Sequence, residues 1–248
     1  MIYNFTVSPD FNTKYLSGWY IFNTWLQRAA GIAIHLELYN DYPSQRQAIA
    51  EDRFDLIYAN PYDATLLVRE KGFIPLVSAQ GKADEAIIAV RADDPARRVE
   101  DLQPGLRVAT TDDADVNMMC MMMLEPADLN KFNIEIAHCE SFVLVAKRLI
   151  HGDVDAGFFL EETYHDLSSI IGQELRPIVQ SRIQVINHVL LLGPRLLERR
   201  DKIMSQLLAM NEDDKGKSVL QGLGFQAWEA VEREDTEFMI DLMDALGE

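Results

Sequence analysis

The stretch 54-FDLIYANPYDATLLVREKGFIPLVSAQ-80 decides the fold. FDLIYA is a short apolar run with an aromatic member, the pattern of a strand buried on both faces. NPYDATLLVREKG reads as a helix with Pro61 near its first turn, where a missing N–H costs nothing. FIPLVSAQ is a second strand. Strand, helix and strand in so short a span make a βαβ crossover, whose strands run parallel.

The same alternation extends outward in both directions. Upstream, YNFTV alternates as a strand and ends at the turn SPD. KYLSGWYIFNTWLQRAAG then sets Leu16, Trp19, Tyr20, Phe22, Trp25 and Leu26 at helical spacing, closed by Gly31. IAIHLELY is a strand and YPSQRQAIAEDR a short helix. After Gly81 the pattern restarts with the strand EAIIAVRA, the loop DDPARRVEDLQPG with a short helix, and the strand LRVATT. The stretch TTDDADVNMMCMMML supplies a helix stopped by Pro126. FNIEIA, CESFVLVAKRLIHG, VDAGFF and EETYHDLSSIIG follow as strand, helix, strand and helix. LRPIVQS and QVINHVLLL are extended, and the remainder from Pro194 reads as helical. The expectation is an α/β protein with mainly parallel sheets.

Bulk composition narrows the partners. The chain has 248 residues, 48% hydrophobic and 25% charged, as an ordinary globular protein does. A net charge of −17 argues against nucleic acid and anionic membrane, and opposes anionic ligands unless a pocket is locally positive. Cys120 and Cys139 lack metal or disulfide spacing and read as free thiols. No run approaches the roughly 20 apolar residues of a membrane span. Without a signal-peptide pattern the chain as written reads as cytoplasmic, or periplasmic if a leader once preceded it.

The order of these words resembles the type 2 periplasmic-binding-protein fold, and more narrowly the substrate-binding proteins of phosphate, phosphite and phosphonate ABC transporters. The matching words are FTVSP, AIAEDRFDLIYANP, LRVATTDD, GDVDAGFF, IVQSRI with LLLGPRL, and DKGKSVLQGLGF. The resemblance implies two α/β lobes joined by a two-strand hinge, with a small molecule closed between them. Lobe one would comprise 1–82 plus 188–248, and lobe two 83–187. An ABC permease or a signalling protein is the implied partner, and no cofactor is implied.

The resemblance also allows the ligand site to be tested residue by residue. The family holds its anion on a Ser-Thr-Ser run at a helix N-terminus, after a strand ending in Asp. Thr111 and Asp112 match the strand end, but the hydroxyl run falls on Asp115, Val116 and Asn117. A carboxylate there would repel a phosphonate: two unit charges about 4 Å apart at an effective dielectric of about 20 cost about 4 kcal/mol. The family's phosphoryl-binding His falls on Phe142, with His138 earlier. Glu162 matches the carboxylate that receives an aminophosphonate's ammonium, and Asn187 stands where a second carboxylate is expected. The expected ligand is therefore neutral, zwitterionic or cationic. Its contacts would be Asp115, Asn117, Glu162 and Asn187, with Ser8, Asp10, Tyr42, Asn60 and Tyr62 answering from lobe-one loops. The plain alternative is a loop that caps itself, over a cleft that is empty or serves a protein contact.

Three other readings compete. Asp, Cys, Met and His together suggest a metal, but Met118, Met121 and Met122 share one helix face and Met119 and Met123 another, so the expectation is no metal. A helix apolar all round is simply buried. A cytoplasmic metabolite lyase or biosynthetic enzyme on the same fold would use His138, Glu140, Glu162 or His188 as acid or base, but no catalytic word is present and no catalytic residue is assigned. A sensor or adaptor would act through the acidic C-terminal helix, with its apolar Phe238, Ile240, Leu242, Met243 and Leu246, although covering lobe one is its simpler role.

Overall fold

The computed structural model describes residues 2–247. The chain forms two compact units, one gathering the residues up to Lys82 and Asn187–Asp244, the other Ala83–Ile186 with the residues from Ala245.

The first unit opens with β1 (Ile2–Val7), α1 (Leu16–Ala30), β2 (Ala33–Leu36), α2 (Tyr42–Ala50), β3 (Leu56–Ala59), α3 (Pro61–Arg69) and β4 (Ile74–Ala79). The second comprises β5 (Ala86–Arg91), β6 (Leu106–Thr110), α4 (Ala114–Leu124), β7 (Ile134–His138), α5 (Phe142–His151), β8 (Ala156–Leu160), α6 (Glu161–His165), α7 (Ser169–Gln173) and β9 (Leu175–Gln180). The chain then re-enters the first unit as β10 (Val189–Leu192), α8 (Arg200–Leu208), α9 (Asp214–Gly222), β11 (Trp228–Ala230) and α10 (Arg233–Gly247).

Both sheets are mixed rather than mainly parallel. The first has the order β11-β4-β10-β3-β1-β2 and the second β7-β6-β8-β5-β9. The β1, β2 and β3 pairings are parallel, as are those of β6 with β7 and β8. The opening βαβ unit keeps its direction, because β3 and β4 both run antiparallel to β10, which separates them. β5 pairs antiparallel with β8 and β9, and β11 with β4. The antiparallel pairings belong to strands β5, β9, β10 and β11, which no local crossover helix ties to a parallel neighbour.

Three local expectations change. The segment expected to be helical from Pro194 contains the short strand β11, whose Trp228 is drawn into the core. EETYHDLSSIIG is two helices, because Ser168 starts a new one by accepting from the Ile171 N–H at 3.4 Å. α4 is not buried all round. Val116, Met119, Cys120, Met123 and Leu124 are buried, whereas Met118, Met121 and Met122 are half-buried.

The first unit's core is aromatic. Trp19 meets Phe5 at 6.1 Å, Phe22 at 5.7 Å and Tyr58 at 5.0 Å between ring centroids, and Trp228 closes on Phe22 at 5.7 Å. On α10, Met239 and Ile240 are buried and Phe238 is exposed, while the side chains of Met243 and Leu246 lie outside the described residues.

Candidate functional site

Polar residues collect where parallel strands end, at loops and helix N-termini. In the first unit β1 runs into Ser8 and Asp10, and β3 into Asn60, which caps α3 by accepting the Asp63 N–H at 2.8 Å. Asp41 caps α2 by accepting the Ser44 N–H at 2.7 Å, placing Tyr42 in its first turn. Gln45 ties that helix to the end of β1, donating to the Val7 carbonyl at 2.8 Å.

Asp10 is buried, and its Oδ2 lies 2.9 Å from His188 Nε2. Burial would raise the Asp10 carboxyl. The His188 charge and hydrogen bond, with the Tyr42 and Ser8 hydroxyls, outweigh burial and hold it below its ordinary value. The His188 ring also stacks on Tyr58 at 5.3 Å. Beside this pair, Arg46 Nε donates to Asp63 Oδ1 at 2.7 Å. Burial pushes the Asp63 carboxyl above its ordinary value against the pull of Arg46. Tyr62, half exposed, lays its ring against Arg46. Ser8 Oγ, Asp10 Oδ1 and Asn60 Nδ2 are buried without a well-formed hydrogen bond among the described residues.

In the second unit β6 runs into Thr111, Asp112 and Asp113. The helix cap is Asp113, whose Oδ1 accepts the Val116 N–H at 3.1 Å, and not Asp112. Asp112 is exposed and lies 2.8 Å from His138 Nδ1, at the end of the neighbouring β7. Asp115 is buried in the first turn of α4. The Asn117 amide is committed inside the loop, accepting from Thr110 Oγ1 at 2.6 Å and donating to the Thr111 carbonyl at 2.9 Å. Phe142 is buried at the start of α5, against Phe159 at 6.2 Å. Glu162 is exposed in the first turn of α6.

The structure therefore gathers Ser8, Asp10, Tyr42, Asn60 and Tyr62 at one edge of the first unit. Thr111, Asp112, Asp115 and Asn117 stand together at the α4 terminus. Phe142 belongs to the second unit's core. Asn187, half-buried, falls in the first unit beside His188. Sequence reasoning missed Arg46, Asp63 and the Asp113 cap. The Tyr42–Arg46 spacing of one helical turn was the visible signal for the first.

A cavity of about 430 Å³ lies at the other edge of the first unit, lined by Phe54, Asp55, Phe73, Pro194 and Arg195 among others. Its charges already pair within the protein, Arg195 with Asp55 at 3.3 Å and Lys71 with Asp52 at 2.5 Å. The strand-end clusters, which gather buried polar side chains at loops and helix N-termini, are the better candidate. Among the described residues no three His, Cys, Asp or Glu side chains converge as metal ligands.

Two α/β units with polar clusters at their strand ends define the class, a substrate-binding-protein fold. The chain is similar to the methylphosphonate complex of PhnD1 from Prochlorococcus marinus, with 12% identity, a TM-score of 0.83 and coverage of 99% of this chain and 98% of that one. It is also similar to XAC2383 from Xanthomonas citri bound to ATP, with 13% identity, a TM-score of 0.79 and coverage of 99% and 97%. A third similar structure is the periplasmic aliphatic sulphonate-binding protein SsuA from Escherichia coli, with 12% identity, a TM-score of 0.66 and coverage of 98% and 87%. No curated relative matches. The family described as "ABC transporter, phosphonate, periplasmic substrate-binding protein" matches residues 5–236, and the chain belongs to it. It is thus a substrate-binding protein of a periplasmic family that binds small molecules and works with ABC permeases. No helix of the described residues is long and apolar enough to cross a membrane.

Proposed function

We propose that this family member delivers a ligand other than phosphate or a simple phosphonate, a molecule that is neutral, zwitterionic or cationic. The observation that carries the reading is the α4 N-terminus. There the protein's own carboxylates, Asp113 at 2% exposure and Asp115 at 3%, sit where a helix otherwise receives an anion. Asp113 already takes the Val116 N–H, so a phosphoryl oxygen would compete for that donor and meet two buried negative groups. The loop is self-capped by Asp113, and its outer carboxylate, Asp112, lies 2.8 Å from His138 Nδ1. In this reading Ser8, Asp10, Tyr42, Asn60, Tyr62 and Asn187 contribute to the ligand site from the first unit. Asn117 holds the loop in shape rather than touching the ligand.

Calorimetry tests this with phosphate, methylphosphonate and a panel of amines, amino acids and polyols. The expected result is no binding of either anion at millimolar concentration and saturable binding within the panel. Tight binding of methylphosphonate would overturn it.

A further inference from the structure

The cavity of about 430 Å³ in the first unit has the build of a second small-molecule site, and all of its lining comes from that unit. Its floor is apolar: Ile49, Phe54, Ile57, Leu67 and Phe73 line it, each at most 7% exposed. Native interiors pack closely and leave few voids larger than a water molecule. A space of about 300–1,000 Å³ over apolar walls is instead the usual size of a ligand pocket. Elements begin and end around this one. Ile49 stands in the last turn of α2 and Leu67 in that of α3, Phe73 precedes β4, and Pro194 follows β10. The helix pair that opens at the strand-end cluster with Tyr42 and Pro61 closes here, so the two places lie at opposite ends of the same helices.

Two features fix the charge of the occupant. The C-terminal ends of α2 and α3 both reach the cavity, and aligned peptide dipoles make such an end partially negative. The protein already holds one cation there: Lys71 Nζ donates to the Ala50 carbonyl at the end of α2 at 3.3 Å, and to Asp52. Arg195 is matched with Asp55, which is buried and also accepts the Asn4 N–H at 2.9 Å. Beyond those two pairs one lining carboxylate is left over. Glu70, exposed at the end of α3, makes no ion pair among the described residues. The lining therefore sets Asp52, Asp55 and Glu70 against Lys71 and Arg195, an excess of negative charge.

We infer that this cavity binds a primary amine carried on an aromatic or branched apolar group, its apolar body on the floor and its ammonium at Glu70 and the helix C-termini. A carboxylate in place of the ammonium would meet Glu70 and both helix ends with the wrong sign. An amine without the apolar body would forgo the burial that drives binding.

The test uses the whole chain in calorimetry and thermal shift, with phenethylamine and isoamylamine as probes. Each is paired with its alcohol, 2-phenylethanol or isoamyl alcohol, and phenylacetate and ethylamine are further controls. At least one probe amine is expected to bind saturably and raise the melting temperature. It should bind about tenfold more tightly than its alcohol, and phenylacetate and ethylamine should not bind at the same concentration. Glu70→Lys reverses an exposed charge that makes no ion pair, so the variant should fold and weaken the amine about tenfold or more. Glu135→Lys makes the same charge change at an exposed position of the second unit and should leave binding in place. The inference is overturned if neither amine binds, or if an alcohol, phenylacetate or ethylamine binds as tightly as the amine. It is also overturned if Glu70→Lys binds as well as the parent, which would put the amine elsewhere on the molecule, or if Glu135→Lys weakens binding equally. None of these results bears on the α4 terminus, and tight binding of methylphosphonate would remove the proposed function while leaving this site standing.

Discussion

His188 Nε2 sits 2.9 Å from Asp10 Oδ2, with the Asp10 side chain only 5% exposed. Asp10 holds its proton less readily in the folded protein than in the unfolded chain, where a carboxyl titrates near about 3.9. The pair therefore adds stability above that range and loses it as pH falls through the depressed folded value. His188→Ala leaves a buried carboxylate uncompensated, and the expected loss at neutral pH is about 3 kcal/mol by urea unfolding. Acidification lets the stranded Asp10 take up a proton, so the penalty should shrink toward pH 4. An equal penalty at both pH values would assign His188 a packing role, through its stacking on Tyr58.

At the scale of elements, two helices meet through glycine. A Cβ on Gly18 in α1 would lie 2.0 Å from the Gly222 carbonyl oxygen in α9, whereas one on Gly222 would lie 3.7 Å from Gly18 Cα. Gly18→Ala must push backbone against backbone, and the expected cost is about 1–3 kcal/mol. Gly222→Ala should lie within about 1 kcal/mol of the parent. Thermal melts of the two variants check the asymmetry, and equal effects would contradict the close approach. Helices of this kind were legible in the sequence because their signals are local: the apolar spacing of α1 with Gly31 behind it, or Pro61 opening α3. The insertion of β10 between β3 and β4 was not legible, since pairing across so long a sequence separation leaves no mark on either partner's pattern. β11 is three residues long and falls below any period. The candidate site divides the same way. Asp115 at a helix start was placed by the family resemblance, but Tyr62 meets Arg46 only because α2 and α3 both begin at one sheet edge.

For the whole molecule, the bulk of the second unit is a continuous insertion, Ala83–Ile186, with its own buried residues Ile87, Ile88, Val108, Phe158 and Phe159. Near both of its ends a buried polar knot holds the chain. Ser181 Oγ donates to Glu85 and accepts the Ala86 N–H at 2.8 Å, Glu85 Oε1 accepts the Gln184 N–H at 2.8 Å, and the Asp84 N–H donates to the Ile186 carbonyl at 2.7 Å. Ser181→Ala removes the hydroxyl from two buried partners at once and should cost the second unit about 1–3 kcal/mol. The tryptophans provide a way to see where that loss falls. Trp19, Trp25 and Trp228 all belong to the first unit, so tryptophan fluorescence follows that unit alone while circular dichroism follows both. Ser181→Ala should lower part of the dichroism melt and leave the fluorescence melt in place. If both signals instead fall together in ligand-free Ser181→Ala, the units unfold as one, and the knot at the crossing stabilises the whole chain.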